Sequence, residues 1–178
     1  MLSLNKYFIL LVGSSLMLGA SCGNDSSKAT KQASSKEMQK KLIDANKMYV
    51  KRESDEIDQY VNHKAWKMTT TGTGLRYMII KEGTGELAKL EQYARVKYKI
   101  SLLDGTVCYT SDEKGTKEFL VGRDNVESGL HEGIQYMHVG DKAVMILPSH
   151  LAHGLLGDDN KIPPKASVIY ELELLSLR

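Results

Sequence analysis

One stretch of alternating residues constrains the fold of this chain more than any other feature. In VKYKISLL, residues 96–103, polar side chains separate an apolar set, which consists of Val96, Tyr98, Ile100 and Leu102. Successive side chains of a β-strand point to opposite faces, so this pattern predicts a half-buried antiparallel strand. Asp104-Gly105 follows at once and is a tight hairpin signal. We therefore predict an antiparallel sheet.

Further strands are predicted by short apolar runs on both sides of this hairpin. The runs cover residues 75–81, 117–121, 142–148 and 167–175. One helical pattern lies among them, where Leu130, Ile134 and Met137 are spaced to share one apolar face. The sequence predicts an α+β domain over residues 72–178, in which an antiparallel sheet is curled around one short helix.

An N-terminal helical arm is predicted ahead of this domain, over residues 36–71. Its apolar side chains recur at helical spacing, first at Met38, Leu42, Ala45 and Tyr49 and again at Ile57, Tyr60 and Val61. The pattern predicts one helix, or two with a break near Ser54, and the run TTTGTG ends it. The apolar stripe is too patchy for a sustained coiled coil, so we interpret the arm as a solvated helix. A partner-binding or dimerising helix is the alternative.

The first residues have the pattern of a secretory signal peptide. Lys6 precedes a mostly apolar run at 7–18, and small residues at 19–21 lead directly into Cys22. This resembles a bacterial lipobox, in which the cysteine becomes the lipidated first residue. We predict a signal peptide over 1–21, lipidation of Cys22 and a polar tether over 22–35. The protein is then anchored in the bacterial cell envelope and faces the periplasm. An ordinary signal peptide with an incidental cysteine is the alternative.

The charge of the chain gives no reason to expect a nucleic-acid partner. The formal net charge is +2 at pH 7, and the segment 1–21 holds one lysine and no acidic residue, so its removal leaves +1. Nucleic-acid binding relies on many basic contacts to phosphates. A near-neutral chain does not supply them.

Several phrases of the domain together resemble a known family. They are GLRYMIIKEGTGE (74–86), FLVG (119–122), GLHEGIQYMHVGDKAVMILPSHLAHG (129–154) and IPPKASVIYELELLSL (162–177). Over residues 72–178 the chain resembles an FKBP-type peptidyl-prolyl cis-trans isomerase, and with its N-terminal segments it resembles the lipoprotein branch of that family. The resemblance implies an antiparallel sheet curled around one helix, with the substrate pocket between the two.

The resemblance also implies a set of pocket residues. Its positions fall on Tyr98, Cys108, Tyr109, Phe119, Val126, Glu127, Leu130, His153, Ile162 and Tyr170. Tyr98 and Tyr170 correspond to aromatic walls, and Val126 and Ile162 to aliphatic walls. His153 stands where the family has a tyrosine that donates to the substrate carbonyl, and a neutral imidazole N–H can also donate.

Other pocket positions depart from the family pattern. Leu130 replaces the tryptophan of the pocket floor, and Glu127 replaces an isoleucine whose backbone N–H binds ligands. Cys108 replaces a phenylalanine, and Tyr109 would restore the missing ring if it turned inward. We expect Cys108 to be buried and inert.

The implied function is isomerisation of X-Pro bonds in proline-containing clients, assisting the folding of exported proteins with reduced activity. This chemistry needs an apolar, water-poor pocket and no nucleophile, metal or cofactor. The alternative is a non-catalytic peptide-binding module, acting as a chaperone or an assembly factor.

Three other kinds of site receive little support from the sequence. Cys108 belongs to no recognisable cysteine-enzyme motif. His150 and His153, with Asp158 and Asp159 nearby, lack a defined third metal ligand. KEGTGE lacks the Gly-Lys-Ser/Thr ending of a phosphate loop and is typical of a turn between strands.

Overall fold

The computed structural model of the protein describes residues 25–178. Within them, the helices are α1 (Asp25–His63), α2 (Ser111–Lys114), α3 (Ser128–Ile134) and a 3-10 turn (Ser149–Leu151). The strands are β1 (Thr69–Thr70), β2 (Arg76–Lys81), β3 (Tyr93–Leu102), β4 (Val107–Thr110), β5 (Lys117–Leu120), β6 (Lys142–Leu147) and β7 (Val168–Leu177). In this part of the chain no helix combines the length and the apolar character that crossing a membrane requires.

The strands form one antiparallel sheet, which confirms the predicted fold class. Its order is β1-β2-β6-β7-β3-β4, and β5 pairs with β3 beyond this path. The hairpin between β3 and β4 turns at Gly105, whose φ of +92° lies in a region that favours glycine. Asp104 accepts a hydrogen bond from the Thr106 amide at 2.8 Å and closes the turn. The Asp-Gly signal therefore marks a real hairpin.

The short helix α3 packs closely on one face of the sheet. Leu130 and Ile134 of this helix are buried. Gly129 and Gly133 face β6, where an added Cβ would come within 2.6 Å of the Leu147 side chain and would clash with Met145. Glycine at both positions therefore lets α3 approach the sheet closely.

The opposite face of the sheet is covered by residues 45–63 of α1. Val144 and Ile146 of β6 point to this face, together with Ile169 of β7, and they form a second hydrophobic cluster with Ile57. Ile57 is fully buried. Residues of the predicted arm therefore contribute to the core of the domain, and the predicted boundary at residue 72 cuts across this packing.

Two buried charged residues attach α1 to the domain. The Glu53 carboxylate accepts hydrogen bonds from the Ser149 amide and the Ser167 hydroxyl, both at 2.7 Å. Arg76 of β2 donates to Asp58 at 2.8 Å and to the Ser54 hydroxyl at 2.6 Å. Losing the helix would remove the acceptor of Ser149 and Ser167. It would also leave the buried Arg76 without Asp58 and Ser54, which is costly for a buried charge.

The helix is longer than the sequence pattern predicts. It begins at Asp25 within the predicted tether and continues through Ser54 without a break. The segment contains neither glycine nor proline, so nothing in it interrupts the helical hydrogen bonds. Residues Ala45–Arg178 form one compact unit, and α1 up to Asp44 belongs to a separate unit. Cys22 lies outside the described residues.

Candidate active site

A cavity of about 210 Å³ lies between α3 and the sheet. Both apolar and charged side chains line it, namely Val96, Tyr98, Ile100, Tyr109, Lys114, Lys117, Glu127, Leu130, His153, Tyr170 and Leu172. Six of the residues that the family resemblance assigns to the pocket are among them. The cavity is therefore the place to test the predicted chemistry.

The sheet supplies the apolar wall of the cavity. Tyr98 stands between Val96 and Ile100 on the same face of β3, and Leu172 follows Tyr170 two residues later on β7. Sequence reasoning assigned only the two tyrosines to the pocket. The other three wall residues, Val96, Ile100 and Leu172, could also have been predicted from the sequence, because residues i and i+2 of a strand lie on the same face.

The two wall tyrosines stay protonated at neutral pH. Burial, and after it the nearby Glu127 carboxylate, raises the pKa of Tyr98. The same causes raise the pKa of Tyr170 well above its ordinary value. The Tyr170 hydroxyl is buried and has no hydrogen-bond partner within the described residues. Both rings therefore serve as neutral walls, and neither supplies a phenolate base.

Glu127 and His153 form a polar pair inside the cavity. The Glu127 side chain is 9% exposed, and its Oε1 lies 3.0 Å from Nε2 of His153. Sequence reasoning treated Glu127 as a lost wall residue and His153 as a donor to the client carbonyl. In the structure the Nε2 atom of His153 is already engaged, so a client carbonyl would compete with Glu127 for it.

Tyr109 lines the cavity and links β4 to the loop that follows His153. Its hydroxyl donates a hydrogen bond to the Asp158 carboxylate, which also accepts from the Ile162 amide at 2.7 Å. Burial acts to raise the pKa of Asp158, but these hydrogen bonds hold it below its ordinary value. The hydrogen bond to Asp158 also raises the pKa of Tyr109. This contact closes one end of the cleft.

We expect Tyr109→Phe to loosen this loop without unfolding the domain. A hydrogen bond to a charged group is worth about 1.5–3 kcal/mol, so hydrogen-exchange protection of the Ile162 amide should fall about tenfold or more. The stabilisation that this hydrogen bond provides should decrease in acid, because Asp158 becomes protonated as the pH falls through its lowered pKa. Tyr93→Phe, at the exposed start of β3, is the matched control. If the Ile162 amide has the same hydrogen-exchange protection in Tyr109→Phe as in the wild type, the hydrogen bond from Tyr109 does not hold this loop.

Cys108 and three other assigned residues do not line the cavity. Cys108 is 1% exposed, and burial, together with the Asp158 carboxylate, raises the pKa of its thiol. A neutral buried thiol is a poor nucleophile. Phe119 and Ile162 are buried in the same hydrophobic cluster as Leu130 and Tyr170, and the partly buried Val126 packs against it. These residues support the walls from behind.

The histidines of HLAH have separate partners. Nε2 of His150 lies 3.0 Å from the carbonyl oxygen of Thr73, whereas His153 pairs with Glu127. Among residues 25–178, no three His, Cys, Asp or Glu side chains come together as a metal site. These two histidines therefore have roles within the protein's own hydrogen bonding.

Comparison with known proteins identifies the family. The model of the family described as FKBP-type peptidyl-prolyl cis-trans isomerase matches residues 85–175, about half of the chain. FKBP10 of Homo sapiens, named a peptidyl-prolyl cis-trans isomerase, is 41% identical over 96 residues, which are 53% of this chain and 16% of that protein. FkpA of Buchnera aphidicola, named an FKBP-type isomerase, is 32% identical over 148 residues, which are 80% of this chain and 61% of that protein.

A solved structure agrees with these similarities. The crystal structure of FkpA from Escherichia coli has a TM-score of 0.63 and 27% identity, and the match covers 89% of this chain and 75% of that chain. The chain spans less than two thirds of the length of the two curated relatives. Its fold, the matched residues and the cavity between α3 and the sheet lead to the same result: the chain belongs to the FKBP-type peptidyl-prolyl cis-trans isomerase family.

Proposed function

We propose that this protein catalyses cis-trans isomerisation of X-Pro bonds in proline-containing polypeptide clients and assists the folding of exported proteins. The chain belongs to this family, and one observation of its structure carries the proposal. The cavity of about 210 Å³ has aromatic and aliphatic walls, among them Tyr98, Leu130 and Tyr170. The proposed catalysis involves no covalent step.

The chemistry follows from the resonance of the peptide bond. Rotation about this bond has a barrier of about 18–20 kcal/mol, because resonance holds the amide planar. An X-Pro bond therefore isomerises in tens to hundreds of seconds without help. The twisted transition state has less charge separation than the planar amide, so an apolar and water-poor site stabilises it more than the ground state. An enclosed cleft with aromatic walls supplies such a site.

We assign these tasks to few side chains. Leu130 of α3 and Tyr170 of β7 are buried and exclude water from the inner end of the cavity. The partly buried ring of Tyr98 lines the cavity as well. Nε2 of His153 lies 3.0 Å from Oε1 of Glu127, so a client carbonyl has to compete with this carboxylate for the atom. That competition would reduce turnover.

A non-catalytic peptide-binding module is the second candidate, and the charged side chains favour it. Lys114, Lys117 and Glu127 line the same cavity as the tyrosines. Charged groups retain water and so reduce the advantage of an apolar site for the twisted amide. A cleft of this kind could still bind an extended client chain and act as a chaperone or an assembly factor.

Refolding of a test protein limited by proline isomerisation separates the two candidates. An isomerase shortens the slow refolding phase in proportion to its concentration, whereas a pure binding module reduces aggregation and leaves that phase unchanged. We expect shortening with the wild type. Bovine serum albumin at equal mass serves as the protein control. An unchanged slow phase, with aggregation suppressed, would favour the binding module.

We also propose that the protein acts at the bacterial cell envelope, facing the periplasm, as a lipoprotein with a signal peptide over residues 1–21. The support is the sequence alone, in which an apolar run and small residues lead into Cys22. Cys22→Ser should abolish partition into the detergent phase, with Cys108→Ser as the control. Detergent-phase partition that survives Cys22→Ser would refute lipidation at this residue.

A further inference from the structure

One buried carboxylate of α1 joins both ends of a segment that contributes to the cleft. The segment is residues 149–167, and it runs from the 3-10 turn to the residue before β7. Oε1 of Glu53 accepts a hydrogen bond from the Ser149 amide and another from the Ser167 hydroxyl, both at 2.7 Å. The Ser149 hydroxyl donates to Oε2 at 3.2 Å. All three residues are buried, so one side chain holds the first and the last residue of this segment together.

A second residue on the same side of α1 also holds the segment. Tyr49 stands one turn before Glu53, and residues four apart are neighbours on a helix surface. The Tyr49 hydroxyl donates to the carbonyl oxygen of Lys165 at 3.0 Å. A carboxylate can only accept hydrogen bonds, and the three that the Glu53 side chain accepts within the described residues all come from this segment. Both residues therefore attach α1 to residues 149–167 rather than to the strands of the sheet.

Hydrogen bonds inside the segment extend this restraint to His153. The Ser149 carbonyl oxygen accepts from the Gly154 amide at 2.7 Å, and the Gly154 carbonyl oxygen accepts from the Lys165 amide at 2.9 Å. Gly154 directly follows His153, whose Nε2 lies 3.0 Å from Glu127 in the cavity. The backbone beside His153 is therefore bonded to the two residues that α1 holds, Ser149 and Lys165.

We propose that Glu53 is a positioning residue of the cleft. From α1 it fixes segment 149–167, and so it keeps His153 and Asp158 in their places beside the cavity. Asp158 accepts the hydrogen bond of Tyr109, which lines the cavity. The inference rests on the proposed function, because it needs the cleft to be the client site. Glu53 itself does not line the cavity and takes no chemical step.

A purely structural role, in which Glu53 only attaches α1 to the domain, predicts a different result. Loss of an attachment lowers the stability of the fold but leaves the activity of the folded molecules unchanged. Loss of a positioning contact lowers kcat/KM even when every molecule is folded, because His153 moves and the cleft admits water. Ile57 provides the comparison, since it is buried on the same helix in a cluster that contains no residue of segment 149–167.

Kinetics of matched variants test the inference, at a temperature at which circular dichroism shows each variant to be folded. We expect Glu53→Ala to lower kcat/KM for a prolyl peptide about tenfold, the value of one hydrogen bond to a charged group. Glu53→Gln should keep most of the wild-type activity, because its amide oxygen still accepts from the Ser149 amide and the Ser167 hydroxyl. Ile57→Ala should keep the kcat/KM of the wild type. If Glu53→Ala does not fold, Ser167→Ala removes one donor of the same contact and should lower kcat/KM about threefold.

Hydrogen exchange supplies a measurement that does not depend on catalysis. The protection of the Gly154 amide is compared with that of the Met145 amide in β6. This relative protection should fall about tenfold in Glu53→Ala and return in Glu53→Gln. Ile57→Ala should leave it unchanged.

The outcomes separate this inference from the proposed function. Wild-type kcat/KM in Glu53→Ala, or in Ser167→Ala where that variant replaces it, overturns the positioning role even if turnover is high. An equal loss of kcat/KM in Ile57→Ala overturns it as well. Absence of turnover in the wild type removes the isomerase function instead. The Gly154 amide then decides: relative protection that falls in Glu53→Ala and returns in Glu53→Gln supports the positioning role, and unchanged protection overturns it.

Discussion

Ile57→Ala is expected to lower the free energy of unfolding by about 2–5 kcal/mol, the range for large-to-alanine changes in a packed core. Ile57 is fully buried in a cluster with Val144, Ile146 and Ile169 of the sheet. The substitution leaves a cavity that the rigid strands cannot easily fill, because β6 is covered on its other face by α3. Urea denaturation followed by circular dichroism measures the loss.

The same helix offers a matched control for this prediction. Met48 also lies within Ala45–Arg178, but its side chain is 74% exposed. Met48→Ala should therefore change the stability by no more than about 0.5 kcal/mol, as surface substitutions usually do. Equal stabilities of Ile57→Ala and Met48→Ala would mean that the helix does not belong to the cooperative unit in solution.

Tyr98→Leu should reduce isomerase activity about tenfold or more. The partly buried ring of Tyr98 lines the cavity, and even part of the few kcal/mol that a fully buried aromatic ring contributes would produce this effect. The shorter side chain admits water beside the twisted amide and holds the proline less firmly. The effect should appear in kcat as well as in KM, because the water-poor environment matters more in the transition state.

A second tyrosine of the same strand controls for a general loss of β3 structure. Tyr93 is 41% exposed at the start of β3 and does not line the cavity. Tyr93→Leu should therefore keep the activity of the wild type. If Tyr98→Leu and Tyr93→Leu have the same kcat/KM, the cavity wall contributes nothing to catalysis.

The sheet could be predicted from the sequence because its strands carry local signals. The alternation in β3 and the Asp-Gly turn both depend on neighbours within a few residues. The cover provided by α1 was missed although Ile57, Tyr60 and Val61 recur at helical spacing, because a helical pattern does not say which surface its apolar face covers. One signal was present: AVMIL in β6 is apolar without alternation, which indicates a strand buried on both faces.

The site could be predicted only where it follows the family pattern. Tyr98, Leu130 and Tyr170 lie at matching positions and line the cavity. The pairing of Glu127 with His153 joins residues from two distant segments, and no local rule relates them. The pairing is seen as a side-chain distance, which only the three-dimensional structure provides.

Exchange spectroscopy by NMR on a short X-Pro peptide tests the central proposal, catalysis in the cleft, most directly. The method follows cis-trans interconversion without a coupling protease, so binding alone cannot imitate catalysis. We expect the wild type to speed interconversion in proportion to its concentration, and Tyr98→Leu to lose most of this effect while Tyr93→Leu keeps it. Interconversion that stays at the spontaneous rate on lysine-, leucine- and glutamate-containing peptides alike would contradict the isomerase function.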